Sequence, residues 1–81
     1  MGMGGMPLYS WDVVGGAGGV SGDPEAAIRQ MRRELEGAAP GARGKVRRVA
    51  VSLSGRVEYL ELGVVVEGRR DALTGGVVWV L

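Results

Sequence analysis

The chain is predicted to fold as an α+β domain, one amphipathic helix packed on a small, mostly antiparallel sheet in the order β-α-β-β-β. Three observations predict it. A single stretch of helical periodicity lies between residues 23 and 37, with signals at both ends. The chain after residue 45 instead reads as Val-rich strands separated by Gly-containing turns. With 81 residues in all, there is room for one domain and a core that is only just adequate. The expected organisation is a flexible N-terminus over residues 1–6 and a single domain over residues 7–81.

The elements follow in order. Residues 8–14, Leu-Tyr-Ser-Trp-Asp-Val-Val, have the composition of a short strand. Residues 15–22 contain five glycines and read as a flexible connection. Asp23 is a good N-cap, Pro24 suits the first helical position, and Glu25 favours the positive end of the helix dipole. The helix is expected to run to about Glu36, with Gly37 placed to end it. Ile28, Met31 and Leu35 share one face, helped by Ala27, while Arg29, Arg33 and Glu36 look outward. Glu25–Arg29 and Arg32–Glu36 are supportive i, i+4 pairs.

A loop over residues 38–44 leads to a strand over residues 45–53, with Val49, Val51 and Leu53 on one side and Val46 and Ala50 on the other. Ser54-Gly55 reads as a hairpin turn. The next strand, residues 56–68, is longer than the usual five or six residues. Gly63 in its middle suggests a bulge or a close backbone approach, and a bulge there would bring Val65 to the core side in place of Val64 and Val66. Residues 69–76 turn the chain into a last strand, Val-Val-Trp-Val-Leu.

Strict alternation puts Leu60, Leu62, Val64 and Val66 on one side and Val57, Tyr59 and Val65 on the other. A sheet apolar on both faces needs a cover on each, and one helix covers one face. Val57, Tyr59, Val65 and Trp79 are therefore the candidate interface, and a homodimer through the face away from the helix is expected. Trp11 and Trp79 suit interface anchors and core fillers equally, since the chain has no Phe.

Composition narrows the chemistry. The chain has no Cys, hence no disulfide, thiolate nucleophile or zinc–thiolate site. It has no His, hence no imidazole base or metal ligand. Glu58 and Glu61, three apart on a strand, point to opposite faces and make no carboxylate dyad. No catalytic constellation emerges, so the expectation is a non-enzyme with no cofactor and no metal site. No apolar run approaches the roughly 20 residues needed to span a bilayer. The first seven residues read as neither signal peptide nor myristoylation motif. A cytoplasmic protein with no membrane association is expected.

The overall charge of +1 hides an asymmetry. Residues 1–28 carry a net −3, residues 29–56 a net +6 and residues 57–81 a net −2. Arg43, Lys45, Arg47 and Arg48 form the densest basic patch. Nucleic acid or an acidic partner could meet it, although bases at strand starts also discourage edge pairing, and no aromatics interleave with them. The Gly-rich residues 15–22 precede a helix N-terminus, a geometry that can cradle phosphate. Asp23-Pro24 stands where a P-loop needs Lys followed by Ser or Thr, and Ser21 where a dinucleotide fingerprint needs its third Gly or Ala. A connector, binding no nucleotide, is expected there.

Three stretches carry a family resemblance: Ile28-Arg29-Gln30-Met31-Arg32-Arg33-Glu34-Leu35, then Gly55-Arg56-Val57-Glu58-Tyr59-Leu60-Glu61-Leu62-Gly63-Val64-Val65-Val66, then Gly76-Val77-Val78-Trp79-Val80. From Ala27 onward the chain resembles the trypsin-co-occurring domain of the second type, a small bacterial family. The first twenty-odd residues stand outside that pattern and leave open another family with an extra strand. The resemblance implies a non-enzymatic adaptor, associated with trypsin-like proteases or other effectors in bacterial conflict or signalling systems. It brings no catalytic residues. The resulting expectation is a protein-interaction module that self-associates or docks onto a protein effector. The alternative is a small nucleic-acid-binding regulatory protein using the basic segment.

Overall fold

A computed structural model of the chain describes residues 8–52 and 58–80, with the backbone alone at residues 52, 58 and 59. The described elements are β1 (Leu8–Val13), β2 (Gly18–Ser21), α1 (Pro24–Glu36), β3 (Arg43–Ser52), β4 (Glu58–Arg70) and β5 (Val77–Val80). The strands form one antiparallel sheet in the order β2-β1-β3-β4-β5. This is the α+β arrangement the sequence predicts, with one strand more. Residues 1–7, the Ser54-Gly55 turn, Val57 and Leu81 lie outside the described residues.

The extra strand comes from the Gly-rich stretch expected to be a plain connection. Gly15 at φ +73° turns the chain, Val13 N–H donates to Ala17 O at 2.9 Å, and Tyr9 to Asp12 pair with Ser21 to Gly18. Strand composition is poor here, and the pairing is carried by what lies across β1. The Trp11 indole covers Gly19, where an added Cβ would sit 2.7 Å from Nε1. Trp11 Nε1–H donates to Gln30 Oε1 at 2.9 Å, linking sheet to helix.

Helix α1 has the bounds its end signals predict. The Asp23 carboxylate accepts the Glu25 N–H at 3.1 Å and Pro24 opens the first turn. Gly37 ends the helix in a right-handed conformation, φ −94°, its N–H donating to Arg33 O at 3.3 Å. Ala27, Met31 and Leu35 are fully buried against the sheet, and Ile28 packs at the margin. Of the two expected helix ion pairs, Arg32–Glu36 is present at 3.6 Å.

The core lies between α1 and one sheet face. Trp11 and Val13 from β1, Val46 from β3 and Val66 from β4 meet Ala27, Met31 and Leu35, with Tyr9, Ala42, Val77 and Trp79 packed around them. Gly44 is as important as any of these. It sits beneath Met31, where an added Cβ would lie 2.7 Å from the Met31 sulfur and 2.8 Å from the Asp12 carbonyl oxygen.

The strict alternation expected along β4 fails, and bulges are the reason. Val46 pairs with Val66 but Arg47 with Val64, leaving Val65 as an extra residue. Arg48 pairs with Gly63 but Val49 with Glu61, leaving Leu62 as a second. Gly63 lies between them at φ +153°, a backbone state that disfavours side chains. Each bulge reverses the side on which the following residues fall. Val66 therefore stays in the core, and Val65, expected to take its place, is exposed.

Candidate interaction surface

Paired residues on neighbouring strands share a face, so the register sorts the side chains. On the face away from α1, Asp12, Lys45, Glu67 and Val80 form one row, and Arg43, Arg69 and Val78 another. Arg47 lies on this face too. Its guanidinium holds the Asp12 carboxylate on β1 through NH1 and the Glu61 carboxylate on β4 through Nε, the latter at 3.1 Å. One side chain on the central strand thus clamps both neighbours. The second bulge makes the geometry work, because it returns Glu61 to the face that Arg47 occupies. Buried Val49 pairs with Leu8 further along.

This face carries charges of both signs across β1, β3 and β4, which corrects the expectation of a sheet apolar on both sides. Of the four residues expected to make the interface, the side chains of Val65 and Trp79 are described, and they lie apart. Trp79 pairs with Gly68 on the helix side of the sheet, where an added Cβ on Gly68 would come within 2.9 Å of the Trp79 ring and 3.1 Å of Leu35. Trp11 is buried there as well, so both indoles serve the core. Val65 is exposed at the first bulge, Tyr59 is described only as a backbone partner of Val51, and Val57 lies outside the described residues.

The basic patch is divided in the same way. Arg43, Lys45 and Arg47 lie away from the helix, whereas Arg48 pairs with Tyr9 on the other side. Lys45 stands between Asp12 and Glu67, and Arg47 is engaged by two carboxylates. Arg43 and Arg69 are direct cross-strand neighbours. They line a shallow depression of about 230 Å³ together with Glu67, Gly68 and Val80. That volume is below the roughly 300–1,000 Å³ of ordinary ligand pockets, and a carboxylate shares it. At the helix N-terminus the Asp23 carboxylate occupies the position a bound phosphate would require, and Ser21 Oγ accepts the Asp23 N–H at 3.1 Å.

The β4–β5 connection is held by its own polar groups. Asp71 accepts from the Thr74 hydroxyl at 2.8 Å and the Thr74 N–H at 3.2 Å. These bonds hold its carboxyl below the usual value of 3.8. Arg70 reaches back over the loop after α1, donating to the Ala38 carbonyl, and its Nε donates to Gly75 O at 3.2 Å.

The surface that stands out is one that composition had hidden. Among the described residues, β5 pairs with residues 67–70 of β4 and β1 pairs with β3 as far as Val49; past those limits the described parts of β3 and β4 pair with each other alone. Among the described residues no strand pairs the outer edge of β4 from 58 to 66. Leu60, Leu62, Val64 and Val65 are 51%, 57%, 46% and 37% exposed, with Val51 exposed beside them. Sequence reasoning missed this edge because it assigned each residue to a face and did not consider how far neighbouring strands overlap.

No group of three or more metal-ligating side chains is found among the described residues, and no described helix is long and apolar enough to cross a membrane. No family model matches this chain, and neither the curated proteins nor the solved structures give a match.

Proposed function

We propose that this chain is a non-enzymatic protein-interaction module that self-associates and acts as an adaptor, its contact surface being the apolar edge of β4. The observation that carries this reading is the run of Leu60, Leu62, Val64 and Val65, each more than a third exposed on a strand edge without a described partner. Long, apolar, unpaired edges are ready templates for another chain, and natural proteins usually protect them with Lys, Pro or a covering element. Here the one charge in the run, Glu61, is held back by Arg47.

The thin core supports the same reading. Small scaffolds without disulfides or metals commonly recover the missing burial by association. The resemblance to the trypsin-co-occurring domain suggests a protease or signalling effector in a bacterial conflict or regulatory system as the wider setting. A chain this small without Cys suits the cytoplasm, where disulfides do not persist. The nucleic-acid alternative has less support, since Arg47 is neutralised by two carboxylates and Lys45 is flanked by two more.

Sedimentation and binding of a hydrophobic dye test the reading. The parent should associate or bind dye, and Leu60→Lys with Val64→Lys should abolish both while the circular dichroism spectrum is kept. A monomer that binds no dye at several hundred micromolar would refute it.

A further inference from the structure

We infer that Arg43 and Arg69 together hold a phosphate monoester dianion on the face of the sheet away from α1. The site shares no residue with the exposed run on β4, so it stands or falls apart from the interaction-module reading.

Cross-strand charge is the first argument. Asp12, Lys45 and Glu67 alternate in sign along one row of the sheet, each opposite its complement. In the next row Arg43 directly opposes Arg69, and like charges so placed repel. The sheet's other engaged arginines have partners: Arg47 is held by Asp12 and Glu61, and Arg70 donates to the carbonyls of Ala38 and Gly75. Among the described residues, neither Arg43 nor Arg69 meets a carboxylate at ion-pair distance. A dianion between them turns the repulsion into charge-assisted contacts, and the guanidinium fork matches phosphate oxygens.

Space is the second. Both side chains line the depression of about 230 Å³ and a second hollow of about 200 Å³, which Gly41, Arg70, Asp71 and Ala72 complete. Hollows below the range of ordinary ligand pockets suit one tetrahedral anion. The carboxylates nearby are already engaged, since Glu67 stands opposite Lys45 and Asp71 accepts from Thr74. Arg43, Lys45, Arg69 and Arg70 against Glu67 and Asp71 leave a net +2. A phosphate monoester carries about −1.5 to −2 at neutral pH.

The flanks are the third. Val14 donates its N–H to the Arg43 carbonyl at 2.9 Å, and Val78 pairs with Arg69. These valines are 75% and 38% exposed, and they offer apolar contact to the organic part of an ester.

Thermal unfolding in phosphate, in phenyl phosphate and in sodium chloride of equal ionic strength tests the site. At ten times its dissociation constant, a ligand of the folded state raises the melting temperature of so small a domain by roughly 6–11 °C. Phenyl phosphate at up to tens of millimolar should give such a shift, and inorganic phosphate a smaller one. Arg43→Gln and Arg69→Gln, both at exposed positions, should fold as the parent does and lose the shift, whereas Arg29→Gln on the outer side of α1 should keep it. No shift beyond that in sodium chloride would overturn the site, as would a shift that survives in both Gln variants. A shift with inorganic phosphate and none with phenyl phosphate would overturn the monoester. A single-stranded oligonucleotide carries phosphodiesters of one charge each, and a larger shift with it than with phenyl phosphate would overturn the dianion in favour of a nucleic-acid backbone.

Discussion

Gly44→Ala tests the packing of helix on sheet more directly than any truncation, because the sign of its effect carries the answer. Placed where its conformation is compatible, Ala in place of Gly stabilises by about 0.4–1 kcal/mol through the unfolded chain. At residue 44 the new methyl would meet the Met31 sulfur at 2.7 Å and the Asp12 carbonyl oxygen at 2.8 Å. The sulfur belongs to a flexible side chain, but Met31 is fully buried and has little room to move. The carbonyl is backbone, held in the β1–β3 ladder where Val13 pairs with Gly44. The two strands must part or the helix must lift. Overpacking of this kind costs about 1–3 kcal/mol, and a backbone contact places the substitution near 3. In a domain of this size each kcal/mol moves the melting temperature by roughly 4–8 °C. A loss of about 10–20 °C is expected, from a total stability of only about 4–12 kcal/mol. Thermal and urea unfolding followed by far-UV circular dichroism would measure it. Gly22→Ala, with nothing within 4 Å of the added carbon, serves as the control and should melt within about 5 °C of the parent. If Gly44→Ala melts at or above the parent temperature, Met31 does not rest on Gly44 and the helix has been placed on the wrong part of the sheet.

Three further outcomes are expected. Met31→Asp or Leu35→Asp should leave the domain unfolded at 25 °C by circular dichroism, because either buries an unpaired carboxylate at a cost of several kcal/mol. Arg70→Met should lower stability by about 1.5–3 kcal/mol in urea titration, since it removes charge-assisted bonds to the Ala38 and Gly75 carbonyls while keeping the aliphatic stem. The Asp71 carboxyl should titrate below 3.8 by NMR, and Thr74→Val should move it back towards that value. With its folded value depressed, Asp71 stabilises the fold above its unfolded pKa and loses that contribution as pH falls through the folded one. The Thr74→Val deficit should accordingly be full at neutral pH and fade in acid.

The helix shows how much local sequence can decide. Asp23, Pro24, Glu25 and Gly37 act within a turn of where they stand, and the spacing of Ala27, Met31 and Leu35 sets a buried face whatever it packs against. Capping and periodicity are short-range effects, so the boundaries of α1 and the α+β class were legible from residue order alone. The run of Val and Leu after residue 45 announced strands for the same reason. The Gly-rich residues 15–22 announced nothing, because Gly19 is in a strand only through pairing with β1 and cover from a tryptophan eight residues away. Face assignment on β4 was equally beyond local reading. A bulge is a mismatch between two strands, so Val65 and Leu62 become extra residues only relative to Val46, Arg47, Arg48 and Val49 opposite them. That mismatch sets Val64 on the face of Arg47 and brings Glu61 back to the same face. Leu60, Leu62, Val64 and Val65 are exposed on a stretch of β4 that no described strand flanks, and which stretch is flanked is a property of the assembled sheet. Residue types set which segments could pair and which side chains sought cover. Only tertiary contact decided which partner each segment met, in what register, and which apolar residues were left outside.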